Sequence, residues 1–207
     1  MSMCRCHAGL LLMVTFFTCG ATWCQATSDA LYPPDAGVIN VKTAYGAKGD
    51  GQTDDTMAIL RAIQEHVGQF RFGILYFPSG TYLVSQRLPY IDANGWWGAY
   101  LTIQGQNRST TTIRLIDNSP GFQDPANPLA LIYTASQLGN SIPSSSAYNP
   151  DGAGNEGFRN HIMGITISVG SHNPGAIGID YMANNNSRLN DVTIRSEDGQ
   201  GLYGLNL

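Results

Sequence analysis

Gly164-Ile165-Thr166-Ile167-Ser168 returns 27 residues later as Asp191-Val192-Thr193-Ile194-Arg195, each a small or polar residue, an aliphatic one, Thr, Ile and a polar one. Between them, Ile177-Gly178-Ile179-Asp180-Tyr181 is echoed after 26 residues by Tyr203-Gly204-Leu205-Asn206-Leu207. Two interleaved echoes at nearly one period predict coils stacked in register, each burying its inward aliphatic residues only against its neighbours. A sandwich also offers short strands, but it does not return one pattern at a fixed interval.

Upstream of the repeat the chain continues as short strand-like runs: Val38–Val41, Gly73–Phe77, Thr81–Val84, Tyr100–Ile103, Thr112–Ile116 and Leu129–Tyr133. Pro78-Ser79-Gly80 makes a turn between two of them. Gly46-Ala47-Lys48-Gly49-Asp50-Gly51 reads as a loop, because its glycines admit positive φ. One helix is predicted from Asp54 to Val67. Thr53 is its N-cap, Asp54 and Asp55 fill the first turn where the helix dipole favours negative charge, and Gly68 ends it. Ile59, Ile63 and Val67 recur every four residues on one face of it. Residues 134–157, rich in Ser, Asn, Gly and Pro, form a long aperiodic loop.

Residues 1–26 read as a signal peptide. Arg5 supplies the positive start, Ala8 to Phe17 the apolar stretch, and Cys24-Gln25-Ala26 the small residues a signal peptidase reads. Ten apolar residues are too few to span a bilayer of about 30 Å. All four cysteines (Cys4, Cys6, Cys19 and Cys24) lie in that segment, so a mature chain from Thr27 has neither disulfides nor thiolate chemistry. Residues 27–37 follow as an arm broken by Pro33-Pro34, and 38–207 as the solenoid domain. The expected location is extracellular or periplasmic. A net charge of −4 with 13% charged residues argues against nucleic acid or an anionic membrane as partner.

Ile39-Asn40-Val41, then the run from Tyr45 to Ile59 (Tyr-Gly-Ala-Lys-Gly-Asp-Gly-Gln-Thr-Asp-Asp-Thr-Met-Ala-Ile), then Phe77-Pro78-Ser79-Gly80-Thr81-Tyr82, resemble the opening signature of the pectate-lyase-like superfamily. That superfamily includes polygalacturonases, rhamnogalacturonases, laminarinase-type exo-β-1,3-glucanases and phage tailspike-like proteins. Gly178-Ile179-Asp180-Tyr181 with Leu189-Asn190-Asp191-Val192 is similar to the laminarinase-type branch. The resemblance implies an all-β, right-handed parallel β-helix whose N-terminal end the helix plugs, and a polysaccharide substrate of pectin or β-glucan type. No cofactor is expected, although the lyase variant would usually use Ca²⁺ to neutralise the uronate carboxylate. The polygalacturonase motifs Asn-Thr-Asp, His-Gly and Arg-Ile-Lys are absent, and the one Asp-Asp is Asp54-Asp55. Neighbours on a helix point about 100° apart, which favours capping over catalysis for that pair. The chain stops at Leu207 within a strand-like repeat, so a β-helix truncated at its C-terminus, inactive alone and prone to self-association, is expected.

Asp180, Asp191, Glu197 and Asp198 are the candidate catalytic carboxylates, on or just after the regular coils. Coils about 4.8 Å apart can hold two carboxyls at the roughly 6.5–9.5 Å an inverting hydrolase uses. The same residues also suit turns. Trp96 and Trp97 are candidates to stack on sugar rings, or to pack on the coil surface, and Arg195 is a candidate substrate contact. His161 and His172 flank a strand, and two histidines make no metal site. Asn107 and Asn185 stand in glycosylation sequons, used only in a eukaryotic source.

A glycoside hydrolase on plant or fungal wall polysaccharide leads among the functions. A polysaccharide lyase must make do with few lysines (Lys42 and Lys48), leaving Arg188 or Arg195, and arginine is a poor base. A non-catalytic glycan-binding or structural module is the third reading.

Overall fold

The computed structural model describes residues 29–67, 73–93, 98–134, 158–182 and 185–207. Its strands are β1 (Val38–Asn40), β2 (Asp50–Asp54), β3 (Gly73–Phe77), β4 (Gly80–Val84), β5 (Leu88–Pro89), β6 (Leu101–Gly105), β7 (Thr111–Leu115), β8 (Leu129–Tyr133), β9 (His161–Ser168), β10 (Ala176–Asp180), β11 (Arg188–Arg195) and β12 (Tyr203–Asn206). Two helices, α1 (Val41–Tyr45) and α2 (Thr56–His66), lie near the start.

All the pairings among these strands are parallel, in three stacks. The first runs β1, β3, β6 and the opening halves of β9 and β11. The second runs β2, β4, β7 and the closing halves of the same two strands. β5, β8, β10 and β12 form the third. The echoes in the sequence are the registers themselves: Ile165 lies beside Val192, Ile167 beside Ile194, Ile177 beside Tyr203. This is a parallel β-helix.

Alternation along each strand sends every second residue inward. Inward columns result: Ile39–Leu75–Ile103–Ile162–Leu189 in the first stack, Tyr82–Ile113–Ile167–Ile194 in the second, Leu88–Ile132–Ile179–Leu205 in the third. Each fully buried aliphatic residue contributes about 1.5–3 kcal/mol.

The opening signature folds differently from its sequence reading. Val41 starts α1 instead of ending a strand, because the Asn40 side chain accepts from the amides of Lys42 and Thr43. The supposed loop feeds β2, which pairs with β4. Thr53 is therefore a strand residue whose hydroxyl donates to Asp50, 2.8 Å away, and not the helix cap. α2 begins at Thr56, whose amide and hydroxyl both reach Asp54 Oδ1, at 2.9 and 2.5 Å. Asp54 supplies the cap. Asp55 sits at the N-cap position but bonds elsewhere: its two oxygens accept the amides of Lys48 at 2.6 Å and Gly49 at 2.9 Å. α2 ends at His66, with Gly68 outside the described residues. Its Ile59, Ala62 and Ile63 are fully buried against the core.

Candidate active site

Outward residues of the third stack form the row Pro89–Tyr133–Asp180–Asn206. An outward carboxylate on a coil is ordinarily solvated, yet Asp180 is 2% exposed. Asn206 Nδ2 donates to Asp180 Oδ1 at 3.1 Å, across one coil step. Arg87, two residues ahead of Pro89, lays its guanidinium over the Tyr133 ring, 4.6 Å from the centroid, and donates from Nε to the Ala130 carbonyl at 3.2 Å. Burial pulls the Arg87 pKa below its ordinary value, and Tyr133 and Asp180 push it back up. The guanidinium thus answers electrostatically to a phenol and a carboxylate.

The tight coil beneath has a local cause. A Cβ on Gly178 would collide with Ile194 and with the Gly204 carbonyl, so only glycine lets β10 lie against its neighbours there. Ile177, Ala130 and Tyr133 make a small apolar patch on the outer side. Next to Arg87 opens a cleft of about 390 Å³, with Pro89, Phe122, Leu129 and Gln64 in its walls. Of the three groups Arg87 alone lines this cleft, where a cation can orient an anionic ligand, while Tyr133 and Asp180 lie buried behind it.

The other candidate carboxylates lie elsewhere. Asp191 occupies the bend between the two halves of β11, at φ +51°, beside Gly164 at φ +60° in the coil before. Asp tolerates that left-handed conformation, and its carboxylate pairs with Arg108 Nε at 3.0 Å. Glu197 belongs to the second stack. It accepts from the Ser168 hydroxyl at 2.6 Å and lies 3.3 Å from Arg195 and 3.9 Å from Arg114. Arg114 also holds Asp117 at 2.5 Å. Arg195 is thereby engaged by Glu197. Asp198 takes the His172 amide at 2.7 Å and the Ser196 hydroxyl at 2.8 Å, which ties one coil's turn to the next. Only Glu197 and Asp198 share a neighbourhood. Trp96, Trp97 and the signal-peptide segment fall outside the described residues. Asn107 is exposed and spends its Oδ1 on the Ser109 amide, and Asn185 is exposed in a turn.

Arg87 and Tyr133 escaped the sequence reading. The insertion at 134–157 breaks the period between Tyr133 and Asp180, so nothing in the sequence alone aligns them in one row. Among the described residues no three His, Cys, Asp or Glu side chains converge as metal ligands, and no helix is long and apolar enough to cross a membrane.

Comparison with known proteins adds four findings. Residues 38–206 match the family model described as rhamnogalacturonase A/epimerase, pectate lyase-like. Alginate lyase 7 of Azotobacter vinelandii is 41% identical over 78 residues, 38% of this chain and 9% of that protein. The ORF18 protein of Geobacillus virus E2 superposes over 76% of this chain with a TM-score of 0.53 and 26% identity. The A-module of the mannuronan C-5 epimerase AlgE4 of Azotobacter vinelandii aligns over 78% of this chain, at a TM-score of 0.38 and 20% identity. The chain spans 9% of the alginate lyase and about a quarter (26%) of the phage protein.

Proposed function

The chain belongs to the rhamnogalacturonase A/epimerase, pectate lyase-like family, and on that premise we propose that it is part of an exported enzyme acting on an acidic polysaccharide at the outer face of the third stack. The reading is carried by the Arg87–Tyr133–Asp180 group, a single buried carboxylate whose neighbours are a cation and a phenol. Two-carboxylate hydrolysis would need a second acid beside it. A uronate sugar carries its own carboxylate, which a guanidinium recognises through a planar fork. The name of the relative, an alginate lyase, supports a substrate of that kind.

In this proposal Arg87 shares its guanidinium with the sugar carboxylate and so acidifies the neighbouring C5–H. Asp180 accepts the C5 proton. In an elimination the C5–H electron pair becomes the C4=C5 double bond, the C4–O4 bond breaks, and the Tyr133 phenol gives its proton to the departing oxygen. Return of a proton to the opposite face of C5, with no C–O cleavage, yields the epimer instead. The sequence reading put hydrolysis first. One arrangement favours it as the second reading: Asp117 and Glu197, both held by Arg114, are a carboxylate pair on the second stack.

Incubation with alginate, polygalacturonate and a β-glucan separates these. Ultraviolet absorbance from a new double bond means elimination, solvent deuterium at C5 of intact polymer means epimerisation, and reducing ends without the chromophore mean hydrolysis. Elimination or epimerisation that disappears in Asp180→Asn and Arg87→Ala is the expected result. Hydrolysis surviving both changes defeats the reading, and binding without turnover leaves a glycan-binding module. The proposal includes the division into signal peptide 1–26, arm 27–37 and β-helix 38–207. Secreted material should begin at Thr27 and titrate no thiol, and a mature chain retaining Cys24 would contradict export by this route.

A further inference from the structure

The outer face of the first stack carries the row Val38–Ile74–Thr102–His161–Arg188. A groove of about 320 Å³ opens on it, with Ile74, Thr102, Tyr100, Arg159 and His161 among its walls. Arg159 lies over the Tyr100 ring, 5.9 Å from its centroid, and the Phe158 ring is 5.8 Å from that of Tyr100. Arg188, exposed, is the register partner of His161 one coil on, so it stands on the same face at about 4.8 Å strand spacing.

Arg108, Arg114 and Arg195 each meet a carboxylate. Among the described residues no carboxylate lies within 4.0 Å of Arg159 or Arg188, and none lines the groove. In a chain of net charge −4, Arg159 in the groove wall and Arg188 one coil on from His161 put two positive charges on this face, which favours an anion there. His161 Nε2 is 2.7 Å from the Asn186 carbonyl, which can only accept, so Nε2 carries a hydrogen in that contact. Tyr100 at φ +65° and Arg159 at φ +50° both hold the left-handed conformation without being glycine. That strain is placed where it presents the ring and the guanidinium together.

We propose that this groove is a second binding site, separate from the third-stack face, for the carboxylates of an acidic polysaccharide chain. The two guanidinium groups clasp carboxylates of the bound chain and the aromatic shelf receives a sugar face. The ligand class rests on the acidic-polysaccharide reading, but the site does not depend on chemistry at Asp180.

Calorimetry with a saturated uronate oligosaccharide and its carboxyl-reduced, neutral counterpart tests it, on the wild type, on Arg87→Ala and on the Arg159→Ala/Arg188→Ala double variant. Binding of the acidic oligosaccharide should survive Arg87→Ala and weaken about tenfold or more in the double variant, with the salt dependence of affinity reduced. Both arginines are exposed, so the thermal midpoint of the double variant should stay at the wild-type value. If the acidic ligand binds and no polysaccharide is turned over, the groove stands while the catalytic reading falls. Affinity in the double variant within about twofold of wild type overturns the groove, as does equal affinity for the neutral oligosaccharide or no binding at all.

Discussion

Asp55 is the residue on which the family signature turns. It is 2% exposed and holds the amides of Lys48 and Gly49, so it fastens the Gly-rich segment and frees none of its oxygens for the helix. The reason for the neighbouring glycines follows: a Cβ on Gly80 would strike the Gly49 carbonyl, and one on Gly49 would enter the Tyr82 ring. Asp55→Ala strands two amides away from water and should cost about 2–4 kcal/mol in chemical denaturation. A change below about 1 kcal/mol would restore the view from sequence that Asp55 merely complements the helix dipole. Asp50 and Asp198 should make stability depend on pH. Backbone amides, of Thr53 and Gln52 for one and of His172 and Gln200 for the other, lower each carboxyl from the ordinary 3.8 to about 2. A folded pKa below the unfolded one stabilises above the unfolded value, and that stabilisation fades as pH falls from about 4 towards 2. The thermal midpoint should drop over that window, and Asp198→Asn should flatten the drop; an unchanged slope in the variant would show that the amide bonds do not matter.

At the scale of elements, α2 has one apolar face and spends it on the core through Ile59, Ala62 and Ile63. We propose that it plugs the N-terminal end of the coil, as the signature implies. Ile63→Asp places an uncompensated carboxylate at a fully buried position and should destabilise by several kcal/mol, leaving a chain that melts early or not cooperatively. A melting temperature within a few degrees of wild type would mean the face is not needed. Strands were legible because period 2 and period 27 both write themselves into the sequence: β9 and β11 share their inward residues one for one. The bend inside them was not. Gly164 and Asp191 occupy it by backbone conformation, which gives Asp191 a structural reason to be acidic and small that looks, in sequence, like a catalytic one. α1 and β2 were hidden for the opposite reason, since a side-chain cap at Asn40 and a pairing with β4 override local preference. Of the candidate site, the sequence offers Asp180 but neither Tyr133, its register partner, nor Arg87, just ahead of β5, because strand pairing and not spacing brings them to one face.

Stability in this fold is a sum of neighbouring coils, and within the 207 residues the coil of β11 and β12 has a neighbour on one side. In β11 and β12 that shows as a change of burial. The inward column residues Ile113 and Ile167 are fully buried, whereas Ile194 is only partly so, and Leu205 is 39% exposed at the end of a column whose other members are buried. Tyr203 at 56% and Leu207 at 87% add apolar surface beside them. Their backbone groups on the outer side form an open parallel edge, a template for a second chain. The 207-residue chain should therefore associate edge to edge, its apparent size in light scattering rising with concentration while circular dichroism stays mostly β. Leu205→Lys combined with Tyr203→Lys sets positive charge on that edge, and the pair should return the chain to a monomer while circular dichroism stays mostly β. Association unchanged by the two lysines would move the contact off this end. A wild-type chain that stays monomeric at every concentration would show that the open coil end does not recruit a partner.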